Sequence, residues 1–331
     1  MKYLNLIRYK NLIFIAFLMC LMHYCVVNPW LAVFGVSHQL SGLMFGLLVF
    51  GTVCISAGGY IINDYFDTKI DALNRPEKVI VGNTVSRETA SLLHQIFSVV
   101  GVLAGLAVAF LVKSLTLAFI FIMVPGLLWF YSASYKRQFL IGNLVVSFSA
   151  ALIPIIVLMP ELSLLMQYYY IDDLVRTPII PTLYMWICGF SVFAFLTTFI
   201  REIIKDMEDE YGDREQECRT MPVVLGLKKT RIIVIGLIIL TLAALSIVAF
   251  RFIHFPVDTI STKYFIFGLL LPFLYLVYLL FKAKTPSDYG QASTFVKFIM
   301  ILGSLYSVIL YLLLSINFKL AIFGVFQLTA K

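Results

Sequence analysis

Residues 63 to 78, NDYFDTKIDALNRPEK, place Asn63, Asp67 and Asp71 at four-residue intervals, with Asp64 three residues before Asp67. Residues 201 to 213, REIIKDMEDEYGD, place Asp206, Asp209 and Asp213 at steps of three and four, with Glu202 one turn earlier. Steps of three and four put side chains on one face of a helix, so each stretch, if helical, presents several carboxylates in one direction. Such like charges repel, and a membrane boundary removes part of the water that would screen them. A divalent cation relieves that cost. Oxygen ligands without clustered His or Cys favour Mg²⁺ over zinc, and Mg²⁺ keeps waters and bridges to phosphate oxygens. Two facing clusters would thus clamp a diphosphate and stabilise the charge it gathers as it leaves. The candidate metal ligands are Asn63, Asp64, Asp67, Asp71, Asp206, Asp209 and Asp213.

Basic residues accompany both clusters. Arg75 and Lys78 follow the first, Lys205 and Arg219 flank the second, and Lys136 and Arg137 follow an apolar run. Arg75, Lys136, Arg137 and Lys205 are the candidate diphosphate contacts, Arg being suited to paired ones. An acceptor carrying its own phosphate would need a further positive site, for which Arg201, Lys205, Lys228 and Lys229 are candidates.

The elements that must position these residues are apolar. Hydrophobic residues make up 61% of the 331 and charged residues only 13%, too few to cover a soluble protein of this length. The apolar residues fall in runs near 11–32, 42–62, 94–112, 116–134, 141–160, 182–200, 232–250, 264–281 and 298–316. Runs of roughly twenty cross about 30 Å of hydrocarbon as helix, and their unbroken apolarity excludes barrel strands. The expectation is an all-α polytopic membrane protein of about nine transmembrane helices. The first run is too long for an ordinary leader core and lacks a small-residue cleavage pattern, so it reads as the first membrane helix.

Of the 25 Lys and Arg residues, all but Lys113, Arg176, Arg251, Lys263, Lys319 and Lys331 fall on one set of flanks. The positive-inside tendency makes that set cytoplasmic, with the N-terminus and the acidic mouth, and puts the C-terminus across the membrane. The net charge of +7 follows from this excess and fits anionic membrane lipid rather than nucleic acid. The five cysteines show no CxxC spacing and read as packing residues, not as a redox or zinc site.

The acidic stretches follow the second and sixth runs. After them come NRPEKVIVG and CRTMPVVLG, each with an Arg near a Pro and an aliphatic run ending in Gly. The chain is expected to be one membrane-embedded domain over residues 1–331, with a weak repeat of 1–140 and 141–282 and a final helix at 298–316. The long segments after runs two and six are expected to be largely helical, with turns or helix starts at Pro76 and Pro222, and to form a cytoplasmic cap.

At these residues the sequence resembles the UbiA superfamily of intramembrane prenyltransferases. An Asn followed at four-residue intervals by two Asp matches Asn63, Asp67 and Asp71; Asp-x-x-Asp-x-x-x-Asp matches Asp206, Asp209 and Asp213. A Tyr-Ser start to a Lys-bearing loop followed by Gly-Asn matches YSASYKRQFLIGN, residues 131 to 143. The closely spaced Asp71, Asn74, Arg75 and Pro76, and the Gly212–Asp213–Arg214 step before Arg219 and Thr220, are most similar to the branch containing digeranylgeranylglyceryl phosphate synthases. The resemblance implies Mg²⁺-assisted ionisation of a polyprenyl diphosphate, such as geranylgeranyl diphosphate, and transfer of its allylic carbon to an acceptor. It implies that Asn63, Asp67, Asp71, Asp206 and Asp209 hold the metal–diphosphate assembly. Asp213 either joins them or orients the acceptor, and Lys136, Arg137 and Tyr131 steady the diphosphate or nascent cation.

A prenyl tail rests easily among apolar helices while its diphosphate needs a charged mouth. Phe50, Tyr60, Phe130, Tyr131, Phe190 and Phe199 are candidates to line the tail channel or stabilise the allylic cation, Tyr131 foremost. The branch resemblance implies geranylgeranylglyceryl phosphate as acceptor and an ether lipid as product. A quinone-type aromatic acceptor is the alternative, and would need a ring pocket and a base. A transporter is the rival of another class, but it would carry charges in mid-span, where these runs are almost uncharged.

Overall fold

The computed structural model describes residues 2–74, 79–169, 177–252, 259–322 and 326–327. Among them nine helices are long and apolar enough to cross a membrane, one for each expected run. They are α1 (Tyr9–Val33), α2 (Gly42–Asn74), α3 (Arg87–Leu111), α4 (Leu115–Ala133), α5 (Ile141–Tyr168), α6 (Ile179–Glu215), α7 (Leu227–Phe252), α8 (Ile260–Lys282) and α9 (Pro286–Phe318). The only strands among the described residues are the two-residue pieces Ala321–Ile322 and Phe326–Gln327, after the last helix. The protein is an all-α integral membrane bundle.

The helices overrun their apolar runs where the acidic residues begin. At 1.5 Å per residue, the 33 residues of α2 span about 50 Å and the 37 of α6 about 55 Å, well beyond the hydrocarbon. No proline interrupts either acidic stretch before Asn74 or Gln216, and α6 runs on through Gly212, so each carries its carboxylates on a continuation of a membrane helix.

α2 lies along α3, α5 along α6, and α6 along α9. The α2–α3 contact is close because a Cβ on Gly101 would stand 2.8 Å from the Gly51 carbonyl oxygen, and one on Gly51 3.0 Å from that of Gly101. Small residues permit such approach where lipid supplies no hydrophobic drive between helices. One core joins Met19, Leu48, Val108, Phe121, Leu158 and Leu314; a second joins Ile203, Ile238, Phe273, Leu276 and Val296. Leu103 and Phe110 on α3 and Ile232, Ile239 and Leu240 on α7 are exposed and suit the lipid.

The α6–α7 connection at the acidic end is short and braced. α6 closes at Gln216, with Glu217 left-handed (φ 56°) and the Cys218 amide donating 2.8 Å to the Asp213 carbonyl. Thr220 then starts the short helix Met221–Leu225, with Pro222 in its first turn and Gly226 (φ +80°) after its end. The expected start at Pro222 is thus met, while Pro76 lies outside the described residues.

Candidate active site

Between α1, α2, α4, α5, α6 and α9 lies a cavity of about 460 Å³, within the range of small-molecule sites. Its walls are apolar along Leu18, Ile55, Ile120, Phe121, Leu152 and Ile156. Toward the acidic end they turn polar: Arg8, Asn63, Tyr131, Arg201, Glu202 and Lys205 line it there. The cavity is therefore itself amphipathic, greasy at one end and charged at the other.

The first acidic stretch stands at this polar end. Asn63 is buried and lines the cavity; its Nδ2 donates to Asp67 Oδ2 at 2.8 Å, and its Oδ1 is buried without a hydrogen-bond partner. The other Asp67 oxygen pairs with Lys136. Asp64 accepts from the Arg8 guanidinium at 2.7 Å. Asp71 continues α2 one turn beyond Asp67; its side chain, like Arg75 and Lys78, lies outside the described residues.

The second stretch is held differently. Asp206 Oδ2 accepts from Asn143 Nδ2 at 2.8 Å, and the buried Asp213 accepts from the Thr220 hydroxyl at 3.1 Å. Asp209 lies between them on α6, half-buried. Asn143 is the third residue of α5, just past the Lys136 loop, so this one segment serves both acidic helices.

That loop is compressed against α5. After α4 ends at Ala133, Tyr135–Arg137 forms one 3₁₀ turn, Leu140 takes a left-handed conformation (φ 61°), and α5 begins at Ile141. A Cβ on Gly142 would stand 2.6 Å from Lys136 Cα, so only glycine lets the loop fold down onto the helix start. The Arg219 amide donates 2.8 Å to the Arg137 carbonyl, tying the loop to the end of α6. Burial, with the positive Lys205 and Arg137 adding to it, pushes the Lys136 ammonium down to about 7. Arg137 itself is exposed, with its backbone in this brace.

Of the aromatic candidates, Tyr60 and Tyr131 line the cavity. Phe50 and Phe130 are exposed, and Phe190 is buried in the main core, away from the cavity wall. Lys228 and Lys229 are exposed outside the cavity, whereas Arg201 and Lys205 line it. Arg8, Asn143 and Lys297 carry polar contacts here that spacing did not single out. Asn143 alone left a trace, as the Asn of the Gly-Asn pair.

The donor chemistry fits Mg²⁺. The ligands brought to this end are amide and carboxylate oxygens, and the buried, unpartnered Asn63 Oδ1 is an acceptor in need of a cation or donor. Among the described residues no three Asp, Glu, His or Cys side chains meet at one point; Asp67 pairs with Lys136 and Asp206 accepts from Asn143.

The chain matches the UbiA prenyltransferase family over residues 25–305. It is 31% identical over 229 residues to the digeranylgeranylglyceryl phosphate synthase of Saccharolobus solfataricus, covering 69% of this chain and 70% of that one. The fold is similar to a solved structure concerned with a digeranylgeranylglyceryl phosphate synthase, with a TM-score of 0.58 and 22% identity over 94% of this chain and 97% of that one. It is similar also to a UbiA homologue from Archaeoglobus fulgidus bound to DMAPP and Mg²⁺, with a TM-score of 0.55 and 16% identity over 92% and 99%. The chain therefore belongs to the UbiA prenyltransferase family, as a membrane-embedded prenyltransferase of the branch that contains the digeranylgeranylglyceryl phosphate synthases.

Proposed function

We propose that this prenyltransferase transfers a prenyl group from a polyprenyl diphosphate, such as geranylgeranyl diphosphate, to geranylgeranylglyceryl phosphate, forming an ether lipid and releasing diphosphate. The observation that carries the proposal is the amphipathic cavity running from an apolar floor to a mouth flanked by both acidic helices. A prenyl diphosphate has that same division of character.

Mg²⁺, when bound, supplies the positive charge that neutralises the departing diphosphate. Asn63, Asp64, Asp67, Asp71, Asp206, Asp209 and Asp213 are the residues to hold it. The likeness to a Mg²⁺-bound homologue supports this assignment for the fold at large. Lys136, on its braced loop, faces the diphosphate; Arg75, Arg137 and Lys205 are its further candidate partners. The Tyr131 and Tyr60 rings line the cavity where an allylic cation would form, and the apolar walls keep water from it. The acceptor hydroxyl then attacks the allylic carbon and loses its proton, for which Asp71 and Asp213 are the candidate carboxylates. The basic flanks support a cytoplasmic mouth and N-terminus, with the C-terminus opposite, and the archaeal relatives support an archaeal or bacterial membrane.

The test is a product assay by mass spectrometry with purified protein, Mg²⁺, geranylgeranyl diphosphate, and a panel of geranylgeranylglyceryl phosphate and aromatic quinone precursors. A doubly prenylated glyceryl phosphate is expected. A prenylated ring alone would keep the chemistry and overturn the acceptor.

A further inference from the structure

The cavity has a second charged region that the metal–diphosphate assembly does not use. On α6, Thr198, Arg201 and Lys205 fall at steps of three and four and all line the cavity, deeper than the aspartates. Lys297, on the adjacent α9, lines the same cavity, its ammonium on the neutral Asn11 Oδ1 at 3.2 Å. Arg8 and Lys10 close the α1 side. Glu202 is the single acidic residue in the lining; it pairs with Arg201, and Arg8 is balanced by Asp64 outside the lining.

Positive charge therefore exceeds negative in a largely apolar chamber, an arrangement that is costly unless an anion completes it. Polar atoms there are left over: Arg201 Nε and Thr198 Oγ1 are buried without a hydrogen-bond partner. Both are hydrogen-bond donors on residues that line the cavity, and phosphate oxygens would supply the acceptors they lack.

Arg201 and Asp209 are eight residues apart on one straight helix, about 12 Å at 1.5 Å per residue. Neither Arg201 nor Lys297 is among the candidate diphosphate contacts, whose lysine, Lys136, pairs with Asp67. Of the basic residues considered from sequence for a second phosphate, Arg201 and Lys205 line the cavity while Lys228 and Lys229 do not.

We infer that Arg201 and Lys297, with Thr198 and Arg8 beside them, form a separate phosphomonoester site that seats the phosphate of the lipid acceptor, distinct from the diphosphate site of the donor. This rests on the proposed ether-lipid reaction and adds which residues choose a phosphate-bearing acceptor. Lys205, one turn from both Arg201 and Asp209, stands between the two sites. Seating the acceptor phosphate at Arg201 and Lys297 turns the glycerol hydroxyl toward the donor carbon at the mouth.

The test compares wild type with Arg201→Gln and Lys297→Gln in steady-state transfer, varying geranylgeranylglyceryl phosphate and geranylgeranyl diphosphate in turn, with geranylgeranylglycerol as the acceptor lacking phosphate. Loss of one charged hydrogen-bond partner predicts an acceptor KM raised about 10- to 100-fold, donor KM within about twofold, and a wild-type preference for the phosphorylated acceptor that collapses in both variants. Arg201→Lys, which keeps the charge, recovers part of the preference. An unchanged acceptor KM, or a donor KM that rises in parallel, overturns the second site while leaving the reaction in place. Absence of ether product in wild type, with transfer to a ring instead, overturns the reaction itself and the inference with it. An unchanged donor KM also establishes that the variants are folded.

Discussion

The two acidic helices differ in what balances them. On α2, Asp64 and Asp67 each touch a cation carried by another element, Arg8 from the start of α1 and Lys136 from the loop before α5. On α6, Asp206 and Asp213 are held by neutral donors, Asn143 and Thr220, which orient a carboxylate without cancelling its charge. The α2 pair is thus held by cations of the protein and the α6 pair by neutral donors. On the proposed metal assignment, the difference predicts that the α6 carboxylates pull more strongly on Mg²⁺, while those on α2 also hold the Lys136 loop in place.

The largest effect should fall on Asp206. Asp206→Asn is expected to lower kcat/KM by about 100- to 1,000-fold, the scale of losing a principal electrostatic contact in the transition state, and to raise the Mg²⁺ needed for half-maximal rate. Asp67→Asn should cost a similar factor, because it loosens both metal and lysine. Asp64→Asn should cost about tenfold, since Arg8 already offsets that charge. Membrane insertion should be unaltered in all three. Equal losses at Asp64 and Asp206 in a Mg²⁺ titration would break the contrast between the two helices.

Next come the groups that aim the carboxylates without belonging to them. Asn143→Leu removes the donor to Asp206 and is expected to lower apparent Mg²⁺ affinity about 10- to 100-fold, as loss of a partner that orients a ligand does. Gly142→Ala drives a methyl into Lys136 Cα and displaces the loop; donor KM should rise about tenfold with the Mg²⁺ dependence less affected. A Gly142→Ala enzyme with wild-type donor KM would show that the close packing of the loop has no bearing on Lys136.

How much of this was legible in the sequence depended on whether a local rule was involved. The nine helices were legible because twenty apolar residues have few alternatives in a membrane, and the acidic faces because steps of three and four are helix geometry. The extensions of α2 and α6 fit the absence of proline before Asn74 and Gln216. Arg8 and Lys297 were not legible: they reach the cavity from α1 and α9, distant in sequence from both acidic stretches. Phe50 and Phe130 were candidates by position alone; a helix has a lipid side as well as a cavity side, and an apolar run does not reveal which is which. The Gly-Asn pair was visible as a motif, but its reason required the three-dimensional packing of Gly142 on Lys136 and the reach of Asn143 to Asp206.

A smaller effect concerns pH. The Lys136 ammonium is pushed from the ordinary 10.5 down to about 7 by burial, so its charge is present below about pH 7 and lost as pH rises through that value. Donor kcat/KM at saturating Mg²⁺ should decline above pH 7 by up to about tenfold. Lys136→Arg, charged throughout this range, should flatten the decline even where its absolute rate is lower. Identical pH profiles for the two proteins would remove Lys136 from the donor site.

The smallest effect is expected at Thr220, and it sharpens the account of the α6 side. Its hydroxyl is a neutral donor to Asp213 and sits at the join between the end of α6 and the helix Met221–Leu225. Thr220→Val keeps the shape and removes one hydrogen bond, a change of about 1 kcal/mol and thus a few-fold in rate or Mg²⁺ affinity. Thr220→Ser keeps the hydroxyl and should restore it. If the Val variant lowers turnover while Ser does not, and both unfold in detergent at the same temperature, the hydroxyl acts by aiming Asp213. If the two variants lose thermal stability alike and turnover follows stability, Thr220 serves only the packing of that join, and Asp213 needs no neutral donor to do its part.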